Sequence, residues 1–160
     1  MRAIPFFKQL NEHYCGPAIL QMILATEGIK RSQHQLAKEA KTPMHPEAGT
    51  ELKHIISVLR TYGFRVRAGN NKNLATLKKE LAAGSIVIVC YTEPVWEWGH
   101  YSLMRDIQKD KVLLIDPDIS TGKRSFDIAE FKLRWKDKKH TNTIRWGAFV
   151  TAAPSRKQNQ

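Results

Sequence analysis

A cysteine at the predicted start of a helix is the residue best placed to do chemistry in this sequence. Cys15 is followed by Gly16 and Pro17, and proline in the first turn is typical of a helix N-terminus. The positive end of the helix dipole favours the thiolate, which is the nucleophilic form of cysteine. Gln9 stands upstream. Its side-chain amide, together with the backbone N–H of Cys15, offers the donors that an oxyanion needs during acyl transfer.

A histidine and an aspartate far downstream supply the other groups that such a nucleophile needs. His100 follows Gly99, and Asp116 follows the apolar run 112–115. If one strand begins at His100 and its hairpin partner ends at Asp116, the two side chains come level at the same end of the pair. His100 is then the predicted base, and Asp116 fixes its tautomer. Cysteine, histidine and aspartate in this order are typical of papain-like hydrolases.

Three segments of the chain resemble the bacteriocin-processing cysteine peptidase family, whose members cut leader peptides after a Gly-Gly pair. They are Gln9–Ala18, Gly99–Leu103 and Leu114–Pro117, and the middle of the chain also fits at 49–66 and 86–89. The resemblance implies a papain-like fold in which Cys15 is the nucleophile and His100 the base. It also implies that Asp116 orients the base and Gln9 binds the oxyanion. The expected partner is a peptide or protein substrate, and no cofactor is expected.

Helical patterns fill the first half of the sequence and strand patterns the second, which predicts an α+β fold. Apolar residues at helical spacing predict helices at about 17–27, 36–40, 51–62, 74–84 and 128–135. Ser32 and Gln35 form a predicted capping box. Strands are predicted at about 64–68, 86–91, 100–107, 111–115 and 145–151. N-terminal helices packed on a C-terminal antiparallel sheet agree with a papain-like peptidase, which needs its nucleophile on a helix and its base on a strand.

Length and composition describe one globular domain. The chain has 160 residues, of which 42% are hydrophobic and 26% charged, and such a length supports a proper core. We expect a single peptidase domain at 1–153 and a flexible basic tail at 154–160. The apolar runs are far shorter than the ~20 residues of a membrane span, and no secretory signal is visible. A cytoplasmic protein is therefore expected.

Many members of the family are N-terminal domains of exporters that also carry an ATPase. This sequence has no Gly-x-x-x-x-Gly-Lys-Ser/Thr motif, so it resembles a stand-alone member of the family, for which a separate exporter is one possible partner. The net charge of +11, from 26 basic and 15 acidic residues, is compatible with an anionic partner. Nucleic acid is not an expected partner, because the aromatic–basic motifs of the usual nucleic-acid modules are missing.

The loop before His100 holds the candidate substrate-binding residues. Trp96, Trp98 and Gly99 lie there, and two tryptophans at the entry to this strand would line a peptide cleft and restrict it to small side chains. The alternative is that they cover the edge of the core. Cys90 lies in an apolar strand pattern that is typical of a buried residue.

The same residues leave other functions open. An amidase or a transpeptidase would use the same triad with a different acceptor, because the shape of the pocket decides the acceptor. A non-catalytic peptide-binding module is a further hypothesis. The presence of Cys15 argues against it. A metal site made of Cys15, His100 and Asp116 is not supported, because the sequence lacks the ligand spacings that are typical of such sites.

Overall fold

The computed structural model describes residues 3–45 and 48–152, so residue 153 and the predicted tail at 154–160 lie outside the described residues. Five helices and eight strands follow one another within these ranges. The helices are α1 (Cys15–Thr26), α2 (Gln33–Glu39), α3 (Leu52–Thr61), α4 (Leu74–Ala82) and α5 (Ile128–Arg134). The strands are β1 (Phe64–Gly69), β2 (Ile86–Thr92), β3 (Gly99–Ile107), β4 (Lys111–Ile115), β5 (Lys123–Asp127), β6 (Lys136–Asp137), β7 (Thr143–Ile144) and β8 (Gly147–Ala152).

The helices begin and end where local chemistry directs. Helix α1 starts at Cys15, slightly earlier than predicted, and its apolar residues are buried. Helix α2 begins with the predicted capping box of Ser32 and Gln35, in which each side chain accepts from the backbone N–H of the other residue. Helix α3 is followed by Gly63 at a φ of 92°, a conformation that favours glycine and turns the chain into β1.

Six strands form one antiparallel sheet in the order β1-β8-β2-β3-β4-β5, and β6 pairs with β7 in a separate two-stranded ribbon. Strand β8 lies between β1 and β2, which joins the end of the described chain to its first half. Strands β2, β3 and β4 follow one another as a meander, with Tyr91 opposite His100 and Leu103 opposite Ile115. This meander carries the residues that the sequence singled out.

Strand β2 is buried on both faces along most of its length, which explains its unbroken apolar sequence. Alternate residues of a strand point to opposite faces. Ile86, Ile88 and Cys90 pack with α1, α2 and α3, whereas Val87, Val89 and Tyr91 pack with α4 and α5. The sheet therefore separates two apolar cores, and the predicted α+β architecture is confirmed. None of the helices in the described ranges combines the length and apolar character needed to cross a membrane.

The sequence does not predict the short strands β6 and β7, and the structure also differs from the prediction at β5 and β8. Strand β5 is not indicated by the sequence, because Phe126 is its one buried residue and polar residues surround it. Strand β8 begins at Gly147 rather than at Arg145. Arg145 adopts a φ of 49°, and its N–H donates to the carbonyl of Trp135 at 2.8 Å. This residue therefore closes a turn instead of extending the sheet.

Replacing Ser32 by alanine should lower the free energy of unfolding by about 1 kcal/mol. The Ser32 hydroxyl accepts a hydrogen bond from the Gln35 N–H at 3.1 Å, and alanine leaves that N–H without its acceptor. Ser57→Ala is the matched control, because Ser57 is exposed within α3 and alanine is a better helix former there. Urea denaturation measures both variants. Equal midpoints for Ser32→Ala and the wild type would contradict the prediction.

Candidate active site

Cys15 lies at the first position of α1 and is 6% exposed. Tyr14, the residue before it, makes no capping hydrogen bond with its side chain. The backbone N–H groups of a first helical turn have no acceptor within the helix, so this turn presents donors beside the sulfur. A Cβ atom at Gly16 would lie 2.5 Å from the Thr50 hydroxyl oxygen. Glycine at this position therefore lets Thr50 pack directly on the start of α1.

A cleft of about 550 Å³ opens beside Cys15. His100 lines it together with Trp98 and Gly99, and the turn around Thr141 forms another part of its wall. The sulfur and the imidazole, which are 85 positions apart in the sequence (100 − 15), thus meet at one opening. Within the residues that the structure describes, no three His, Cys, Asp or Glu side chains are arranged to hold a metal ion.

His100 and Asp116 form a buried pair on neighbouring strands. His100 Nε2 and Asp116 Oδ1 are 2.7 Å apart, and the two residues are 4% and 0% exposed. Leu103 pairs with Ile115, so Asp116 comes level with Ser102, on the same face of the sheet as His100. The predicted proximity of the two side chains is therefore present, with a diagonal rather than a directly opposite arrangement.

Four donors surround the Asp116 carboxylate. His100 and the backbone N–H of Asp118 (2.8 Å) bond to Oδ1. The Tyr91 hydroxyl (3.1 Å) and the Arg124 Nε–H donate to Oδ2. Burial raises the pKa of this carboxyl, but the charge of His100 and the hydrogen bonds from His100, Arg124 and the Asp118 backbone hold the pKa well below its ordinary value. Asp116 is therefore an anion at neutral pH.

The charge of Asp116 in turn sets the protonation state of His100. Burial lowers the pKa of His100, but the charge and hydrogen bond of Asp116, together with the interaction with Cys15, outweigh burial and raise this pKa to about 10. Because Nε2 bonds to Asp116, Nδ1 is the ring nitrogen left to interact with Cys15. The Tyr91 ring meets the imidazole edge-on, with 5.7 Å between the ring centroids. The site therefore presents an imidazolium to the sulfur, and an adjacent imidazolium favours a thiolate.

Gln9 lies in the extended segment that leads to α1 and is 6% exposed. Its backbone N–H donates to the carbonyl of Pro117, the residue that follows Asp116, at 2.8 Å. Its side-chain Nε2 donates to the carbonyl of Asn11 at 2.9 Å. Among the described residues its Oε1 atom has no hydrogen-bond partner. The segment thus ties the loop before Cys15 to the turn after Asp116, while Gln9 itself is not among the residues that line the cleft.

The Gln33 side chain holds this segment from the other side. Its Nε2 donates to the carbonyl of Lys8 at 2.8 Å, and its Oε1 accepts from the N–H of Leu10 at 2.9 Å. Gln33 is 3% exposed, so both bonds form in a protected environment. The backbone on either side of Gln9 is therefore fixed by one buried side chain.

The tryptophans before His100 stack on each other, with 5.6 Å between ring centroids and 18° between planes. Trp98 lines the cleft, whereas Trp96 is 57% exposed and lies outside the lining. The buried carboxylate of Glu93 holds their turn by accepting from the N–H groups of Val95 and Trp96, the latter at 2.8 Å. The structure therefore brings Trp98, but not Trp96, to the cleft.

Gly99 makes room for a buried carboxylate at the wall of the cleft. A Cβ atom at Gly99 would lie 2.1 Å from an oxygen of Asp137, which is 2% exposed. Asp137 accepts from the N–H groups of Lys139, His140 and Thr141 at 3.2, 3.3 and 3.0 Å. Any larger residue at position 99 would displace this turn, so Gly99 and Asp137 together shape the wall.

Cys90 is 1% exposed, as predicted for a buried residue. Burial raises the pKa of its thiol to about 12, and the nearby charge of Asp137 adds to the effect. Cys90 also lies against the cleft, where its sulfur is 3.7 Å from the Thr141 hydroxyl oxygen. Cys90 is therefore a buried, protonated thiol at neutral pH.

Sequence reasoning missed Arg124, Tyr91 and Asp137. Arg124 lies on β5, opposite Leu114, and its side chain reaches the same face as Asp116. This placement follows from the alternation of side chains along β5. The alternation is not visible in the sequence, because most residues of β5 are polar. Tyr91 belongs to the apolar run of β2, where nothing in the sequence separates it from core residues. Asp137 lies among lysines, although an aspartate that precedes a turn often accepts backbone N–H bonds.

Comparison with known proteins adds a family to this geometry. The model of the peptidase C39 family matches residues 3–140. The Mesentericin-Y105 transport/processing ATP-binding protein MesD of Leuconostoc mesenteroides is 27% identical over 134 residues, which are 84% of this chain and 18% of MesD. The chain thus spans less than a fifth of the length of that relative.

Solved structures share the fold. The peptidase domain of Streptococcus ComA, a bi-functional ABC transporter, matches with a TM-score of 0.74 at 21% identity, covering 94% of this chain and 99% of that domain. A double glycine motif protease from an AMS/PCAT transporter, solved with its leader peptide, matches with a TM-score of 0.70 at 15% identity, covering 95% and 94%. These matches confirm the predicted papain-like fold, and the family model confirms the resemblance. The chain therefore belongs to the peptidase C39 family of cysteine peptidases.

Proposed function

We propose that this C39 peptidase hydrolyses a peptide bond through Cys15, His100 and Asp116, with a thioester intermediate. The observation that carries the proposal is the meeting of Cys15 with the buried His100–Asp116 pair at one cleft. Asp116 holds the imidazole through Nε2 at 2.7 Å and leaves Nδ1 for the sulfur. A histidine held in this way both receives and returns a proton during acyl transfer.

The proposed reaction has two halves. The Cys15 thiolate attacks the carbonyl carbon, and the carbonyl oxygen becomes an oxyanion. The His100 imidazolium gives its proton to the leaving amine, the C–N bond breaks, and a thioester to Cys15 remains. The now neutral His100 then takes a proton from water, which attacks the thioester and releases the carboxylic acid. Cys15 and His100 return to their starting charges.

Gln9 and the backbone N–H of Cys15 are the proposed donors to the oxyanion. One hydrogen of the Gln9 amide bonds to the carbonyl of Asn11, and a primary amide has a second hydrogen to donate. The N–H of Cys15 stands at the start of α1, where helical N–H groups lack acceptors within the helix. Donors fixed before the reaction stabilise the developing charge without reorganising.

A leader peptide that ends in Gly-Gly is the proposed substrate. The family supports this choice, as does the protease that was solved with its leader peptide. The cleft adds a physical reason, because Trp98 and the Gly99–Asp137 contact form walls close to His100. Residues without side chains would fit such a passage. Coupling to an exporter, in line with the name of MesD, is part of the same proposal.

Iodoacetamide should alkylate Cys15 well below pH 8, the range in which an ordinary thiol with a pKa of about 8.5 reacts slowly. His100→Ala should slow this labelling, because the imidazolium is lost. Cys90 is the internal control, since burial raises its pKa to about 12 and native labelling should not reach it. Above about pH 8.5 an ordinary thiol is itself mostly ionised, so the advantage of the wild type over His100→Ala should vanish there.

Mass spectrometry of the native protein measures this labelling over a pH series. His140→Ala is the matched variant, because His140 also lines the cleft but makes no bond to Asp116. It should label like the wild type. Labelling of Cys15 that follows an ordinary thiol, with no effect of His100→Ala, would contradict the proposed pair.

Gln9→Ala should lower kcat by about 10²–10³ with little change in KM, because an oxyanion donor acts in the transition state. Gln108→Ala is the control, since Gln108 is an exposed glutamine on the β3–β4 hairpin. Steady-state kinetics on a Gly-Gly peptide measures both variants. A rise in KM at unchanged kcat would assign Gln9 to substrate binding instead.

A peptide with Gly-Gly before the scissile bond should be cleaved, and replacing either glycine by alanine or valine should lower kcat/KM by about tenfold or more. Product masses identify the acceptor. Addition of water supports hydrolysis, whereas addition of an amine would assign an acyl transferase with the same triad. Equal cleavage of the glycine and valine peptides would show that the cleft does not select small residues.

A further inference from the structure

We propose that Arg124 is a positioning residue of this site, which fixes the orientation of the Asp116 carboxylate and supplies the positive charge behind it. The inference rests on the proposed function, since it concerns how the Cys15–His100 pair is held. Arg124 does not line the cleft. It therefore acts through Asp116 and His100 and not on a substrate.

The two carboxylate oxygens of Asp116 bond to different groups. Oδ1 faces His100 Nε2 at 2.7 Å, and Oδ2 accepts from Arg124 Nε–H and the Tyr91 hydroxyl. Because Asp116 is 0% exposed, no bulk water replaces a lost donor directly. Without Arg124, only the Tyr91 hydroxyl would hold Oδ2. The carboxylate would then be freer to rotate about its Cβ–Cγ bond and to carry the imidazole with it.

Arg124 is itself held in place. On β5 it lies opposite Leu114 of β4. Leu114 is two positions before Asp116, so the side chains of Arg124 and Asp116 lie on the same face of the sheet. The guanidinium carbon lies 5.6 Å from the ring centroid of Phe126, which favours a cation over the ring. The side chain is 14% exposed. Contact with the Phe126 ring and the bond to Asp116 thus hold the Arg124 side chain in one conformation.

The charged and titratable groups around Asp116 come from several elements. Tyr91 lies on β2, His100 on β3, Asp118 after β4 and Arg124 on β5. Glu93 acts on Arg124 at longer range, and Lys8 and Glu93 act on Asp118. Arg124 is the cation of this set that bonds Asp116 on the side away from His100. Its removal would leave the region more negative, and a more negative region binds protons at higher pH.

Arg124→Met removes the charge and the hydrogen bond while keeping an unbranched stem. We expect the acid-side midpoint of Cys15 alkylation by iodoacetamide to move up by about 0.5–1 pH unit. We also expect kcat on the Gly-Gly peptide to fall by about 10- to 100-fold, because a small misplacement of the imidazole is costly. Arg124→Lys keeps the charge but not the planar Nε donor. It should keep the wild-type midpoint and lose about tenfold in kcat.

Arg67→Met is the matched control. Arg67 also pairs with a carboxylate, Glu80, at 2.9 and 2.8 Å, and its guanidinium also lies over a phenylalanine ring, Phe149, at 5.3 Å. It makes no bond to Asp116, so its loss should leave both the alkylation midpoint and kcat unchanged. Thermal unfolding of all variants shows how much of any effect is lost stability.

The outcomes separate the two proposals. Arg124→Met with a wild-type midpoint and wild-type kcat, but a lower melting temperature, would make Arg124 a structural residue and overturn the inference. If Arg124→Met does not fold, Arg124→Lys decides, and wild-type kcat in that variant overturns the positioning role. A wild-type protein whose Cys15 labels as an ordinary thiol would instead contradict the proposed function itself.

Discussion

One buried carboxylate organises this molecule. An ionised aspartate without exposure to water is costly unless donors surround it, and the Asp116 carboxylate, at 0% exposure, has four. These donors come from β2, β3, β5 and the turn after β4. The strand order β2-β3-β4-β5 is therefore the order that brings them together. A shift of one strand by a single residue would turn its donor to the opposite face.

Cys15 comes near the His100–Asp116 pair at the start of α1, and polar contacts on both sides of Cys15 hold this segment against the sheet. The carbonyl of Thr50 accepts from the Tyr101 hydroxyl on β3 at 2.7 Å, while the Thr50 side chain packs against Gly16. The N–H of Gln9 bonds to the carbonyl of Pro117. Apolar packing alone would allow α1 to slide over the sheet, because it is non-directional. Directional bonds on both sides of Cys15 fix its distance from His100.

The sequence predicts what depends on short-range pattern. The apolar residues of α1 and α3 recur at helical spacing, and the Ser32–Gln35 capping box can be recognised from four consecutive residues. Cys15, His100 and Asp116 could be selected because their residue types, and their places at the start of a helix or at the ends of predicted strands, already restrict the chemistry. Arg124 could not, since β5 has one buried residue and its partner is set by strand register. Trp96 and Trp98 are alike in sequence, but only the path of their turn brings Trp98 to the cleft.

The His100–Asp116 ion pair also contributes to the stability of the fold, and its contribution depends on pH. The pKa of Asp116 is lowered from 3.8, so its contribution to folding is fully present above that value and is lost as the pH falls towards the folded-state pKa. The pKa of His100 is raised from 6.5 to about 10, so its contribution is fully present below 6.5 and is lost as the pH rises towards 10. Both contributions are complete between pH 3.8 and 6.5. The charged pair persists well above that range, so the imidazolium of His100 also stabilises the fold at neutral pH. Strain at the site is therefore not needed to explain why His100 is charged, because the charge and hydrogen bond of Asp116 outweigh the effect of burial.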